Sequence, residues 1–309
     1  MPVSRTRPAW ATGLCLAVIA VTVGQVGAPT AALAVTGPPS APAQSAPVVR
    51  IVVGDGDGSR SCSGVLVDQT WIATAASCFA DRPGSAVPAG RPALKATATL
   101  GTGQSVEITE LVPRTDRDLV LARLATSVTD VAAVKRATAP PAAGSDVTAV
   151  GFGRTGTEWV PDKPHTGTFG LDGAAATTLA ISGKAGAAMC KGDTGGPLLN
   201  AAGELIGVNS RSWQGGCLGT PATETRTGAV SARVDDLGGW VGDTVRPDVP
   251  HDLNGDGRSD VVMAYYHADS KIGFYTSLAN AGGGFGDFTV GYTVPVNSWD
   301  RGSMKLVSG

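Results

Sequence analysis

From Cys190 to Leu198 the chain reads Cys-Lys-Gly-Asp-Thr-Gly-Gly-Pro-Leu. Glycines set around an acid and a hydroxyl residue suit a strained loop that aims several backbone N–H groups at one point. That arrangement stabilises a developing oxyanion. Thr194 supplies the hydroxyl. Such an oxygen is a weak nucleophile near neutral pH and needs a base within hydrogen-bond reach. Histidine is suited to that task because its pKa lies near the working pH. The chain holds three histidines, His165, His251 and His267, and each falls in a stretch that reads as a solvated loop. A second chemical pattern is Asp252-Leu253-Asn254-Gly255-Asp256-Gly257-Arg258-Ser259-Asp260. Asp252, Asn254, Asp256 and Asp260 place side-chain oxygens at positions one, three, five and nine, with the main-chain carbonyl of Arg258 at seven. This is a hard-ligand set for calcium. An EF-hand does not fit, because the twelfth position is Met263 and Val261 to Tyr266 reads as a strand.

The elements that would carry these residues read as β structure. Hydrophobic residues make up 42% of the 309 and charged residues only 16%, while glycine occurs 43 times; that balance favours loop-rich sheets over a helical bundle. Short apolar or alternating runs, bounded by Gly, Asp and Asn, occur at Val48 to Val53, Gly64 to Val67, Trp71 to Ala75, Leu119 to Leu124, Val147 to Gly151 and Leu205 to Val208. Runs of this length and spacing predict an all-β sandwich or barrel. A short helix is expected near Val234 to Val241.

The N-terminus predicts export. Arg5 and Arg7 precede a short apolar core from Leu14 to Val26, and Ala32-Leu33-Ala34 is a small-x-small cleavage site. Gly24, Gln25 and Gly27 interrupt the stretch, which argues against a retained membrane anchor. Residues 1–34 are therefore read as a signal peptide, 35–50 as a Pro- and Ala-rich pro-segment or linker, and the product as secreted. Export implies an oxidising compartment. Cys15 leaves with the signal, and Cys62, Cys78, Cys190 and Cys217 remain as an even set with three possible pairings. A net charge of −2 excludes a general polyanion binder, so no nucleic-acid partner is expected. No membrane partner is expected after signal removal, and the product is expected to be a monomer.

Several ordered motifs together resemble the chymotrypsin- and trypsin-like serine peptidases of the secreted bacterial type. The Cys190 to Leu198 loop is similar to the family's nucleophile loop, with Thr194 at the serine position. Trp71-Ile72-Ala73-Thr74-Ala75-Ala76-Ser77-Cys78 resembles the segment that carries the histidine, with Ser77 in its place. Asp116-Arg117-Asp118-Leu119-Val120-Leu121 resembles the segment that carries the aspartate, here Asp118. Val150-Gly151-Phe152-Gly153, Leu205 to Ser210 and Thr227 to Val230 resemble strands of the second barrel. The order matches the chymotrypsin type.

The resemblance implies residues 51–245 folded as two six-stranded antiparallel β-barrels with a short C-terminal helix. It implies disulfides Cys62–Cys78 and Cys190–Cys217, and an oxyanion hole from the N–H groups of Gly192 and Thr194. It implies a specificity pocket with Ala188 at its floor, flanked by Ser212 and Gly228, with Ser210 on the strand that binds substrate backbone. It also implies cleavage after Arg50 and pairing of the freed Ile51 ammonium with Asp193. Two of three catalytic positions depart from the pattern. Ser77 can neither take nor return a proton, and the branched Thr194 side chain is more restricted than serine. Losing the base of such a triad removes roughly a millionfold of rate. The expectation is a pseudoprotease that binds a peptide or protein ligand. The competing readings are a serine-type endopeptidase using Thr194 and a calcium-dependent adhesion or binding module.

Residues 246–309 resemble one repeat of the integrin-like, FG-GAP-type calcium-binding β-propellers. A propeller needs about four or more blades, so an incomplete propeller-type repeat is expected. The closing residues Lys305 to Gly309 read like the approach to a second calcium loop.

Overall fold

The computed structural model describes Met1 and residues 45–82, 84–245, 253, 259–266, 272–280 and 283–294, with the backbone only at 266 and 291–294. The expected signal peptide (Met1 apart) and, of the expected calcium ligands, Asp252, Asn254, Asp256 and Arg258, lie outside these residues. Among the described residues no helix is long and apolar enough to cross a membrane.

Twelve strands form two closed barrels. The first joins β1 (Val48–Val53), β2 (Arg60–Asp68), β3 (Trp71–Thr74), β4 (Ala96–Leu100), β5 (Ser105–Pro113) and β6 (Val120–Leu124) in the order β1-β2-β3-β6-β5-β4. The second joins β7 (Asp146–Gly151), β8 (His165–Ala174), β9 (Thr178–Gly183), β10 (Pro197–Leu199), β11 (Leu205–Ser212) and β12 (Ala229–Arg233) in the order β10-β11-β12-β9-β8-β7. Every neighbouring pair for which a register is defined is antiparallel. Closure leaves no open edge, so each strand's N–H and C=O groups find partners within the barrel.

Alternation determines which side chains fill the barrels. In β4 the buried positions are Ala96, Ala98 and Leu100 and the intervening threonines are half-buried. Ile51, Leu66, Ile72, Leu111 and Leu121 fill the first barrel, and Phe169, Leu171, Leu179 and Ile181 fill the second. The first core continues through Val150, Phe152, Leu205 and Val208, residues of the second barrel and the loop behind it. The two barrels therefore share packed apolar surface at their junction.

A helix, α1 (Gly238–Val245), follows β12. It starts later than expected because Val234 and Leu237 are used up in the core. Trp240, Val241 and Val245 pack from the helix onto the same cluster, and the Arg114 guanidinium lies 5.4 Å from the Trp240 ring centre. Beyond the barrels, β13 (Val261–Tyr266), β14 (Ile272–Ser277) and β15 (Thr289–Val294) form a three-stranded antiparallel sheet. The strand expected after the calcium loop is thus present. The described strands do not identify the sheet as a propeller blade.

Candidate active site

The nucleophile loop takes its shape from glycines and one buried acid. Gly192 and Gly195 have φ of +100° and +88°, values that side chains rarely adopt. A Cβ on Gly195 would fall 2.1 Å from Thr74 Oγ1 and 2.2 Å from the Ser63 carbonyl oxygen. The Asp193 side chain turns inward, 1% exposed. It accepts the N–H of Gly153 through Oδ1 and that of Cys190 through Oδ2, both at 2.8 Å. Burial pushes its carboxyl up to about 7, against the opposing effect of these two hydrogen bonds.

The Ile51–Asp193 pairing needs correction. Ile51 lies in the middle of β1, opposite Cys62 on β2 and Ala98 on β4, and it is fully buried. Pairing with Asp193 would require tearing this strand out of the first barrel. β1 itself starts at Val48, ahead of the expected start of the barrel region at Ile51. The Arg50 guanidinium lies over Phe152, 4.9 Å from the ring centre, and donates to the Pro161 carbonyl. No cation pairs with Asp193 among the described residues.

Ser77 sits in a 3₁₀ turn, Ala76–Cys78, directly after β3. The disulfide Cys62–Cys78 ties this turn to β2, and Cys190–Cys217 ties the nucleophile loop to the segment after β11. These are the pairings that the resemblance implied. Asp118 lies just before β6. Its Oδ1 accepts the Ser77 N–H at 2.7 Å, and its Oδ2 accepts the hydroxyls of Ser77 at 2.9 Å and Ser210 at 2.6 Å. The Thr194 hydroxyl donates to the Ser210 main-chain carbonyl at 3.2 Å. Ser77, Asp118, Thr194 and Ser210 thus converge, and Gly192 lines the same cleft. Among the described residues no acceptor takes the N–H of Gly192 or Thr194. His165 opens β8 opposite Gly151 and faces Glu158 at 3.7 Å. His251 and His267 lie outside the described residues.

The cleft between the barrels has a volume of about 470 Å³ and is lined by Ser77, Gly192, Thr194 and Ser210, among others. The expected specificity pocket is not part of it. Ala188 is fully buried against Cys190 and Cys217. Ser212 donates to the Met189 carbonyl at 2.7 Å. Ser212 and Gly228 line a separate hollow of about 440 Å³ with Trp213 and Arg211. The Trp213 main-chain N–H donates to the Gly228 carbonyl at 3.2 Å, a Cβ on Gly228 would fall 3.5 Å from the indole, and the Arg226 guanidinium carbon lies 3.5 Å from the ring centre.

Two supporting residues had no role in the sequence reading. Ser63, fully buried, accepts the Phe152 N–H, donates to the Gly192 carbonyl, and bonds the Thr194 carbonyl through its own N–H. It fixes the nucleophile loop to β2. Arg117, with its side chain 4% exposed, joins Asp116 to Asp236 and to the Arg233 carbonyl, pinning the Asp118 segment against the second barrel. Arg114 and Arg117 hold the Asp116 carboxyl well below the usual carboxylate range. Ser63 lies inside an unremarkable strand and carried no signal. Arg117 stands within the Asp116 to Asp118 motif, and that adjacency was its only hint.

Of the five expected calcium ligands, Asp260 alone is described. It is 5% exposed, and its oxygens accept the N–H groups of Leu253 and Ala279.

Comparison with known proteins places this geometry. The sequence profile of the Trypsin family matches residues 34–241. It begins ahead of the expected barrel start and stops short of the calcium loop. The snake venom serine protease gussurobin of Gloydius ussuriensis is 28% identical over 208 residues, covering 60% of this chain and 76% of that protein. The inactive snake venom serine proteinase 13 of Crotalus adamanteus is 26% identical over 204 residues, covering 58% and 75%. Among solved structures, neuropsin from mouse brain aligns with a TM-score of 0.52 at 20% identity, covering 66% of this chain and 96% of that one. The scabies mite inactivated protease paralogue S-I1 aligns with a TM-score of 0.52 at 18% identity, covering 68% and 98%; at such identities these two show the fold alone. With the profile spanning both barrels, this chain belongs to the trypsin family of serine proteases.

Proposed function

We propose that the protein is a secreted protease homologue that holds a peptide or protein segment in its inter-barrel cleft without cutting it. One observation carries the reading: both oxygens of Asp118 are taken by Ser77 and Ser210, and the Thr194 hydroxyl donates to a main-chain carbonyl. Among the described residues no base is hydrogen-bonded to the Thr194 hydroxyl. Without the base, what remains is a residual of about 10³–10⁴ over water, from binding and the oxyanion hole. Gly192 and Thr194 still present N–H groups to a bound carbonyl. A relative named as an inactive proteinase is in keeping with this reading. Secretion is supported by the Ala32-Leu33-Ala34 site and by the venom origin of that relative and gussurobin.

The test is an active-site acylating probe applied with and without competing peptides. Retention of unlabelled Thr194, with peptides protecting the cleft from proteolysis or exchange, supports binding. Covalent labelling at Thr194 that disappears in Thr194→Ala supports a peptidase instead.

The C-terminal loop belongs to the proposal as a calcium site. Asp252, Asn254, Asp256, the Arg258 carbonyl and Asp260 would hold the ion, an all-oxygen set of the type calcium prefers. The two main-chain bonds of Asp260 would fasten the end of that loop to the sheet.

A further inference from the structure

We infer that the segment held in the cleft is acidic, carrying Glu or Asp side chains beside the residue seated at Gly192 and Thr194. This inference rests on the binding reading above and gives its ligand a chemical class. Three cations from separate parts of the chain, Arg60, Arg154 and Lys191, line the cleft, and among the described residues no Asp or Glu does. Among the described residues none of the three pairs with a carboxylate, whereas Arg114, Arg117, Arg226 and Arg233 do.

Arg154 is the most telling. Its Nη2 donates to Gln214 Oε1 at 2.9 Å and to Thr220 Oγ1 at 3.4 Å, both neutral, and its Nε is buried without a partner. A half-buried guanidinium with only neutral partners lacks the counter-charge that would offset its desolvation. It is also held in place. The exposed Trp159 ring lies 5.5 Å from the guanidinium carbon, and the main chain of Arg154 bonds the Lys191 carbonyl at 3.0 Å. Gly219, at φ +74°, permits this packing, since a Cβ there would fall 2.6 Å from the Trp159 ring. Lys191 is exposed and adjoins Gly192, and the Arg60 guanidinium is fastened to the Ala80 carbonyl.

Among the described residues the nearby acids form no ion pair with these cations: Asp118 accepts from Ser77 and Ser210, and Glu158 lies 3.7 Å from His165. The cations lie inside a cleft rather than across an open face, on a chain of net charge −2. This geometry fits one extended peptide better than a polyanion lattice.

The experiment measures binding of three labelled octapeptides to the full secreted chain by fluorescence anisotropy. One alternates Glu with Ala, and the other two carry Gln or Lys at the Glu positions. The Glu peptide should bind roughly tenfold tighter than the Gln peptide at low salt, with the gap closing as salt rises. Lys191→Glu should erase most of the gap and favour the Lys peptide, and Arg154→Gln should act in the same direction. Lys191 is exposed, so K191E and the salt series stand even where R154Q fails to fold. Equal binding of the Glu and Gln peptides overturns the acidic class and leaves the peptide-binding reading intact. Binding of none of the three overturns both. A heparin oligosaccharide that binds more tightly than the Glu peptide also overturns it, in favour of a polyanion.

Discussion

Ser77 is joined to Asp118 twice, its N–H donating to Oδ1 at 2.7 Å and its hydroxyl to Oδ2 at 2.9 Å. Ser210 adds a third bond to the same carboxylate. In a triad the aspartate orients an imidazole that shuttles the nucleophile's proton. Here the acid is oriented and satisfied, but what it holds is a hydroxyl with no proton-transfer function near neutral pH. Ser77, Asp118 and Ser210 form a hydrogen-bonded joint between the two barrels.

On the proposed reading, supplying a histidine and a serine at these two positions should confer hydrolytic chemistry. The double variant Ser77→His with Thr194→Ser is expected to hydrolyse a small activated ester at least roughly a thousandfold faster than either single variant, because triad members act as a unit. The assay is burst kinetics with mass detection of an acyl adduct. No gain in a folded double variant would show that the cleft itself, and not the side chains alone, has lost competence.

Removing the joint should cost stability. Asp118→Ala leaves the Ser77 N–H and the Ser77 and Ser210 hydroxyls without their charged acceptor. The expected loss is about 2 kcal/mol, since hydrogen bonds to charged groups are worth more than neutral ones but this site is partly solvated. Ser210→Ala should lose about 1 kcal/mol. Urea denaturation followed by intrinsic fluorescence measures both. An unchanged midpoint for Asp118→Ala would remove the structural role assigned to this carboxylate.

Gly195 tests how tightly the nucleophile loop is seated. Alanine there combines a φ of +88° with contacts of 2.1 and 2.2 Å to Thr74 and Ser63. A loss above about 3 kcal/mol is expected, seen as a lowered midpoint or as failure to recover soluble protein. The same substitution at Gly203, where φ is +78° but nothing lies within 4 Å, should cost only about 1 kcal/mol. Equal effects at the two positions would argue against close seating.

Asp193 gives a pH dependence of defined sign. Its folded pKa of about 7 stands above its ordinary value of 3.8. The unfolded chain thus gives up this proton first as pH rises, and the native state retains it. The contribution is fully present below about pH 4, declines as pH rises, and is gone above about pH 7. Asp193→Asn should remove this decline, measured by chemical denaturation at closely spaced pH values. A wild-type curve that rises between pH 4 and 7 through Asp193 would mean that a cation reaches it in the processed protein.

The Asp260 clamp and the proposed calcium loop can be probed together. Calcium should raise the unfolding temperature of the C-terminal sheet, chelation should reverse this, and Asp260→Ala should abolish the response. Titration calorimetry checks the ion directly. Heat of binding retained in the variant would move the site away from Asp260.

The sequence alone located six of the twelve barrel strands, β1, β2, β3, β6, β7 and β11, because apolar runs bounded by turn residues are local signals, while the two-barrel arrangement was implied by the resemblance. It also showed which residue types stand at Ser77, Asp118 and Thr194. Its reading of Ile51 failed because Arg-Ile-Val-Val resembles a processed terminus as much as a barrel strand, and only pairing with Ser61 to Ser63 and Thr97 to Thr99 distinguishes the two. The burial of Ala188 against Cys190 and Cys217, apart from the hollow lined by Ser212, Trp213 and Gly228, was decided by the tertiary structure. The meeting of Arg60, Arg154 and Lys191, and the capture of Asp118 by Ser77 and Ser210, join residues from distant parts of the chain. Those relationships arise from strand register and side-chain direction across two packed barrels, which no local pattern encodes.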